Sequence, residues 1–139
     1  MPAAWLARIA ASTGDAPVTS RRNVLAQLSN HATDERFPLL VFDGDTYGDF
    51  TLTTRFKLVS GVMEQMAGLA FRIQDERNFY VIRASGLGNN LRFYKMVGGV
   101  RSSPIGPDAI IAKGVWHELK IECMGNQIRC WLDGKDVLP

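Results

Sequence analysis

The stretch WHELKIECMGNQIRCWL, residues 116–132, decides how this chain reads. Gly125-Asn126 is a two-residue turn signal, and apolar and polar residues alternate on both sides of it, which is the pattern of a β-hairpin. Closing the turn there sets Glu122 opposite Arg129 and Lys120 opposite Trp131, all four on one face. The other face carries Leu119, Ile121, Cys123, Ile128, Cys130 and Leu132. A wholly apolar face must be the core side.

The same period of two runs upstream. Phe50, Leu52, Thr54, Phe56 and Leu58 alternate with Thr51, Thr53, Arg55 and Lys57, as in a strand with one face in water. Val24–Leu28, Leu39–Phe42, Ala67–Ile73, Phe79–Ala84 and Leu91–Met96 complete a set of eight strands, with Gly, Asn, Asp or Pro between them. Only Pro2–Ala11 offers a short helix. The expectation is an all-β, antiparallel two-sheet sandwich or jelly roll. With 139 residues and 15.4 kDa, it reads as a single domain over 1–139.

Placing Leu69, Phe71 and Ile73 inward, opposite Ala84, Ile82 and Tyr80, requires a four-residue loop from Asp75 to Asn78. Arg72, Phe79, Val81 and Arg83 then face outward. Continuing through the loop Ser85–Asn90 puts Leu91 and Phe93 inside, and Arg92 and Tyr94 outside beside Arg83 and Val81. If both hairpins belong to one sheet, Arg72, Arg83, Arg92, Tyr94, Glu122, Arg129 and Trp131 form one candidate ligand face. Guanidinium forks hydrogen-bond hydroxyls and carboxylates in fixed geometry, and aromatic rings stack on the apolar face of a sugar. The plain alternative is a solvated sheet surface with a Glu122–Arg129 ion pair and Lys120 resting on Trp131.

Other chemistries lack their parts. Sixteen Lys and Arg against fourteen Asp and Glu leave a net charge of +2, without the basic footprint of a nucleic-acid binder. No apolar run approaches the roughly eighteen residues of a membrane-spanning helix. The first eleven residues have no basic start and are interrupted by Arg8, so they do not read as an intact secretory signal. A signal already removed would leave the same sequence and a periplasmic or extracellular location.

Cys123 and Cys130 stand diagonally across the hairpin, at about 7–8 Å between Cα atoms, beyond disulfide reach. They read as buried free thiols. His117 shares the parity of Leu119 and reads as a core-edge histidine; with His31 it provides no ligand set for structural zinc. Asp43-Gly-Asp45 with Gly48-Asp49 imitates the start of a calcium loop, but Tyr47 and Thr54 occupy positions five and twelve. That excludes an EF-hand and leaves a polar turn or a loose calcium site. No other cofactor is evident. Serine-nucleophile, P-loop and dinucleotide motifs are absent.

Several segments together resemble a known family. They are Val24–Gln27, Gln65–Arg72, Asp75–Arg83, Asn89–Lys95, Trp116-His117 and Leu132–Gly134, covering about residues 24–134. The family is that of the concanavalin A-like jelly-roll domains called domain of unknown function 1080, the 3-keto-disaccharide hydrolase or family 16 glycoside hydrolase-like domain. The resemblance implies a bacterial sandwich whose concave face contacts carbohydrate, with Arg72, Arg83 and Tyr94 on or near that face. It also implies one or two further strands after the Asp-Gly turn. Either a longer chain supplies them or a partner pairs with the open edge, as in a homodimer. Catalytic residues are not carried over, so the reading covers binding or hydrolysing a 3-keto-glycoside. The rival is a laminin-G-like, non-catalytic interaction or structural domain.

Overall fold

The computed structural model describes residues 7–11, 23–27, 39, 41, 46–61 and 65–138. The chain divides into two compact units, Met1–Asp45 and Thr46–Pro139. In the first, β1 (Ala7–Ala11) pairs antiparallel with β2 (Asn23–Gln27), Ile9 standing opposite Leu25. The helix expected over Pro2–Ala11 is therefore corrected to a strand over its described part. A candidate of ten residues is too short to sustain a helix alone, whereas pairing with β2 satisfies the backbone groups of Ala7–Ala11. Leu39 and Val41 lie in no strand, and the rest of the strand expected there falls outside the described residues.

The second unit contains β3 (Phe50–Lys57), β4 (Met66–Asp75), β5 (Asn78–Ser85), β6 (Asn90–Val97), β7 (Val100–Arg101), β8 (Trp116–Met124), β9 (Gln127–Leu132) and β10 (Lys135–Asp136). They form two antiparallel four-stranded sheets, one ordered β10-β9-β8-β3 and the other β4-β5-β6-β7. No described residue is helical. Phe71, Ile82, Leu91 and Phe93 of one sheet form a single core with Phe56, Leu119, Ile121 and Cys130 of the other. The result is an all-β antiparallel sandwich.

Register follows turn chemistry. Gly125 takes φ +59°, a left-handed conformation that glycine enters without penalty, and Met124 pairs with Gln127 as the two-residue turn requires. Asp133 and Gly134 both take positive φ and fold β10 back on β9, with Lys135 opposite Leu132. The β5–β6 pairing also runs as expected, with Val81 opposite Tyr94 and Arg83 opposite Arg92.

β4 departs from expectation. Asp75 pairs with Asn78, but Phe71 pairs with Tyr80 and Leu69 with Ile82, so two extra β4 residues bulge between Phe71 and Asp75. A shift of two preserves side-chain parity. Leu69 and Phe71 still pack on the core, although their expected partners were each two positions further along β5. Arg72 sits in the bulge at φ +51°.

The long connection from β7 to β8 first runs beside β6, where Phe93 and Ile105 exchange backbone hydrogen bonds of 2.7 and 2.9 Å. It then crosses to the other sheet, buries Ile111, and is tied by the Gly114 N–H to the Leu58 carbonyl at 2.8 Å.

Candidate functional site

The two hairpins belong to different sheets. Arg83, Arg92 and Tyr94 therefore lie on the outer face of one sheet, and Glu122, Arg129 and Trp131 on the outer face of the other. The condition for a single seven-residue face is not met, because the chain crosses between the sheets between β7 and β8.

Arg72 joins neither group. Strand alternation does not apply within a bulge, and its guanidinium donates to the Gly125 carbonyl in the opposite sheet's hairpin turn. The N–H of Gly125 donates to Asp49 Oδ1 at 2.7 Å. Arg72 and Asp49 thus hold the two polar groups of one turn glycine.

On the β5–β6 face most donors meet the chain itself. Arg92 donates to the carbonyls of Gly106 at 2.8 Å and Pro107 at 2.7 Å, and pairs with Asp108 at 2.8 Å. Arg83 donates to Asn90 Oδ1. Tyr94 is buried, with the Arg101 guanidinium 5.6 Å from its ring centre. Burial pushes its phenol pKa up against the opposing pull of Arg83 and Arg101. Phe79 and Val81 on this face are also buried.

The β8–β9 face is more open. Trp131 is half-buried, with Lys120 Nζ 5.0 Å and the Arg129 guanidinium carbon 4.7 Å from its ring centre. Both distances are within cation–π range. The carboxylate that Arg129 meets is Asp136 on β10, at 3.2 Å. Glu122 stands between Arg129 and Thr51 in the sheet register. Indole, guanidinium, ammonium and carboxylate thus share one sheet surface, a combination that suits stacking and hydrogen bonding to hydroxyls.

Sequence reasoning passed over Trp116 as a site residue. It pairs with Lys57, whose Nζ is 5.3 Å from the indole centre, repeating the Lys120–Trp131 arrangement on the same outer face. The Arg55–Glu118 pair at 3.6 Å lies between the two. The signal was available, because extending the hairpin register puts Trp116 on the face of Glu118, Lys120 and Glu122. Its Nε1 is buried and makes no hydrogen bond among the described residues.

His117 is a buried core-edge histidine as expected, but its partners were not legible. Nδ1 is 2.8 Å from Asp133 Oδ2, and Nε2 is 2.9 Å from the Ala112 carbonyl oxygen. Cys123 and Cys130 are buried free thiols. Of the calcium candidate, Asp43–Asp45 lie outside the described residues, and Asp49 is the acceptor for Gly125. No cluster of three metal-ligating side chains occurs among the described residues.

The model of the 3-keto-alpha-glucoside-1,2-lyase-like domain family matches residues 7–139. Among solved structures, the carbohydrate-binding module CBM66 from Bacillus subtilis is similar, with a TM-score of 0.61 and 22% identity. The likeness covers 68% of this chain and 60% of that module, and it shows a common jelly-roll fold. No curated protein matches.

Proposed function

Because the chain belongs to the 3-keto-alpha-glucoside-1,2-lyase-like domain family, we propose that it is a carbohydrate-binding jelly roll that holds a saccharide on the outer face of β8 and β9. The observation that carries this reading is Trp131, half-buried on that face between Lys120 and Arg129. Its indole supplies a stacking surface. Arg129 and Lys120 donate to ring and hydroxyl oxygens, while Glu122 accepts from hydroxyls. The opposite sheet suits this role less, because Arg92 is committed to Gly106, Pro107 and Asp108, and Tyr94 is buried. The family description favours a glucoside carrying a 3-keto group. A carbonyl oxygen adds an acceptor that the Arg129 and Lys120 donors suit.

Binding is the function this face supports. The one imidazole among the described residues, His117, is buried with both ring nitrogens engaged, so it is no free general base for cleavage.

The test is calorimetry and a glycan array that includes a 3-keto-glucoside, with Trp131→Ala and Arg92→Lys beside the wild type. The expected result is saccharide binding weakened at least about tenfold by Trp131→Ala, the scale of a lost aromatic contact together with its buried area. Arg92→Lys should leave binding intact. The reading fails if folded wild-type protein binds no saccharide, or if Trp131→Ala binds as well as wild type.

A further inference from the structure

We propose that protonated His117 is a latch holding the β7–β8 crossover against the β9–β10 turn, and that the cleft these two segments line opens when His117 loses its proton. The cleft has a volume of about 540 Å³. Pro107, Asp108 and Ile110 of the crossover line one side, and Asp133, Lys135 and Val137 line the other. His117 reaches both segments. Its Nδ1 meets Asp133 at 2.8 Å and its Nε2 meets the carbonyl of Ala112 at 2.9 Å.

Both partners are acceptors. A neutral imidazole carries one N–H and can satisfy only one of them, whereas imidazolium carries two. The carboxylate is the stronger acceptor, so the neutral ring keeps its proton on Nδ1. The bond lost is the one to Ala112. Ala112 is exposed, so water can replace the imidazole at its carbonyl and release of the crossover leaves no unsatisfied acceptor.

Asp133 is fixed independently of the ring. Its Oδ1 accepts the Glu118 N–H at 2.8 Å, and its own N–H donates to the Glu118 carbonyl at 2.8 Å. The turn therefore stays in place while the crossover moves.

Few other charges bear on the ring. From β3, the Phe56 ring faces it at 5.4 Å between centres, while Arg55 and Lys57 lie on the opposite face with Glu118 and Trp116. On the crossover, Asp108 is paired with Arg92 and Lys113 is exposed. Asp133 is thus the charge that controls the imidazole. Burial acts to lower the His117 pKa, but the bonds to Asp133 and Ala112 and the Asp133 charge outweigh it and hold the pKa above 6.5.

The experiment combines an NMR titration of His117 with native-state hydrogen exchange across the same pH range, rates being divided by intrinsic exchange. The reporter is the Gly114 amide, bonded to Leu58, and the control is the Ile82 amide in central β5. The expected result is an imidazole midpoint above 6.5. Gly114 protection should fall at least about tenfold through that midpoint, as for one lost hydrogen bond to a charged group, while Ile82 protection holds. Asp133→Asn should move the midpoint down, and His117→Gln should abolish the pH dependence. A midpoint at or below the ordinary value, or Gly114 protection flat across the titration, overturns the latch. Because wild-type protein alone gives both outcomes, a variant that fails to fold does not shield the proposal.

Discussion

Trp131 and His117 make opposite demands on their surroundings. Trp131 faces out and is half-buried, with the Lys120 ammonium and the Arg129 guanidinium over its ring rather than core side chains around it. Its truncation should therefore cost less stability than the roughly 3–5 kcal/mol of a core tryptophan. Urea denaturation of Trp131→Ala checks this, and a core-sized loss would place the indole inward. His117 is a raised-pKa group, so the folded state binds its proton more tightly than the unfolded chain does. Its stabilisation is complete below the unfolded value near 6.5, declines as pH rises from there, and is gone above the folded-state pKa. Denaturation midpoints measured across this range should fall with rising pH in wild type, and His117→Gln should remove this component. The outward position of Trp131 was legible because strand parity fixes it. The position of Arg72 was not, because a residue at φ +51° in a bulge no longer obeys that parity.

The β7–β8 crossover depends on close backbone approach as well as on side chains. Gly106 has φ +139°, and a Cβ there would lie 2.3 Å from the Leu91 carbonyl oxygen. Gly106→Ala should destabilise by at least about 1–3 kcal/mol, the range of a strained backbone position, read as a lower urea midpoint with unchanged m-value. Arg92→Ala removes the donor shared by the Gly106 and Pro107 carbonyls and by Asp108. It should cost about 1–3 kcal/mol, with exchange rising first at the Ile105 and Ala109 amides. The β5–β6 and β8–β9 hairpins were readable in full because short turns set their registers. The β4 bulge and the crossover were not, because the first inserts residues without a turn signal and the second is held by contacts distant in sequence.

Across the sandwich, Cys123 and Cys130 lie on the inner face of β8 and β9 and are fully buried. Burial pushes the Cys130 thiol up to about 12, so neither access nor ionisation favours reaction in the native state. A thiol-specific reagent should label neither cysteine in native protein and both after unfolding. Fast labelling of Cys130 in the native state would mean that this sheet does not close over the core. Sequence by itself determined the all-β class, the inner and outer residues of the β5–β6 and β8–β9 pairs, the free thiols and the outward Trp131. Each follows from a period of two and from turns of a few residues, which act over short chain distances. Tertiary structure alone decided that the hairpins lie in different sheets, that Arg72 and Arg92 serve the chain's own carbonyls, and that His117 joins Asp133 to Ala112. Those outcomes depend on where a crossover takes the chain, and alternation within a strand carries no information about which sheet the next strand will join.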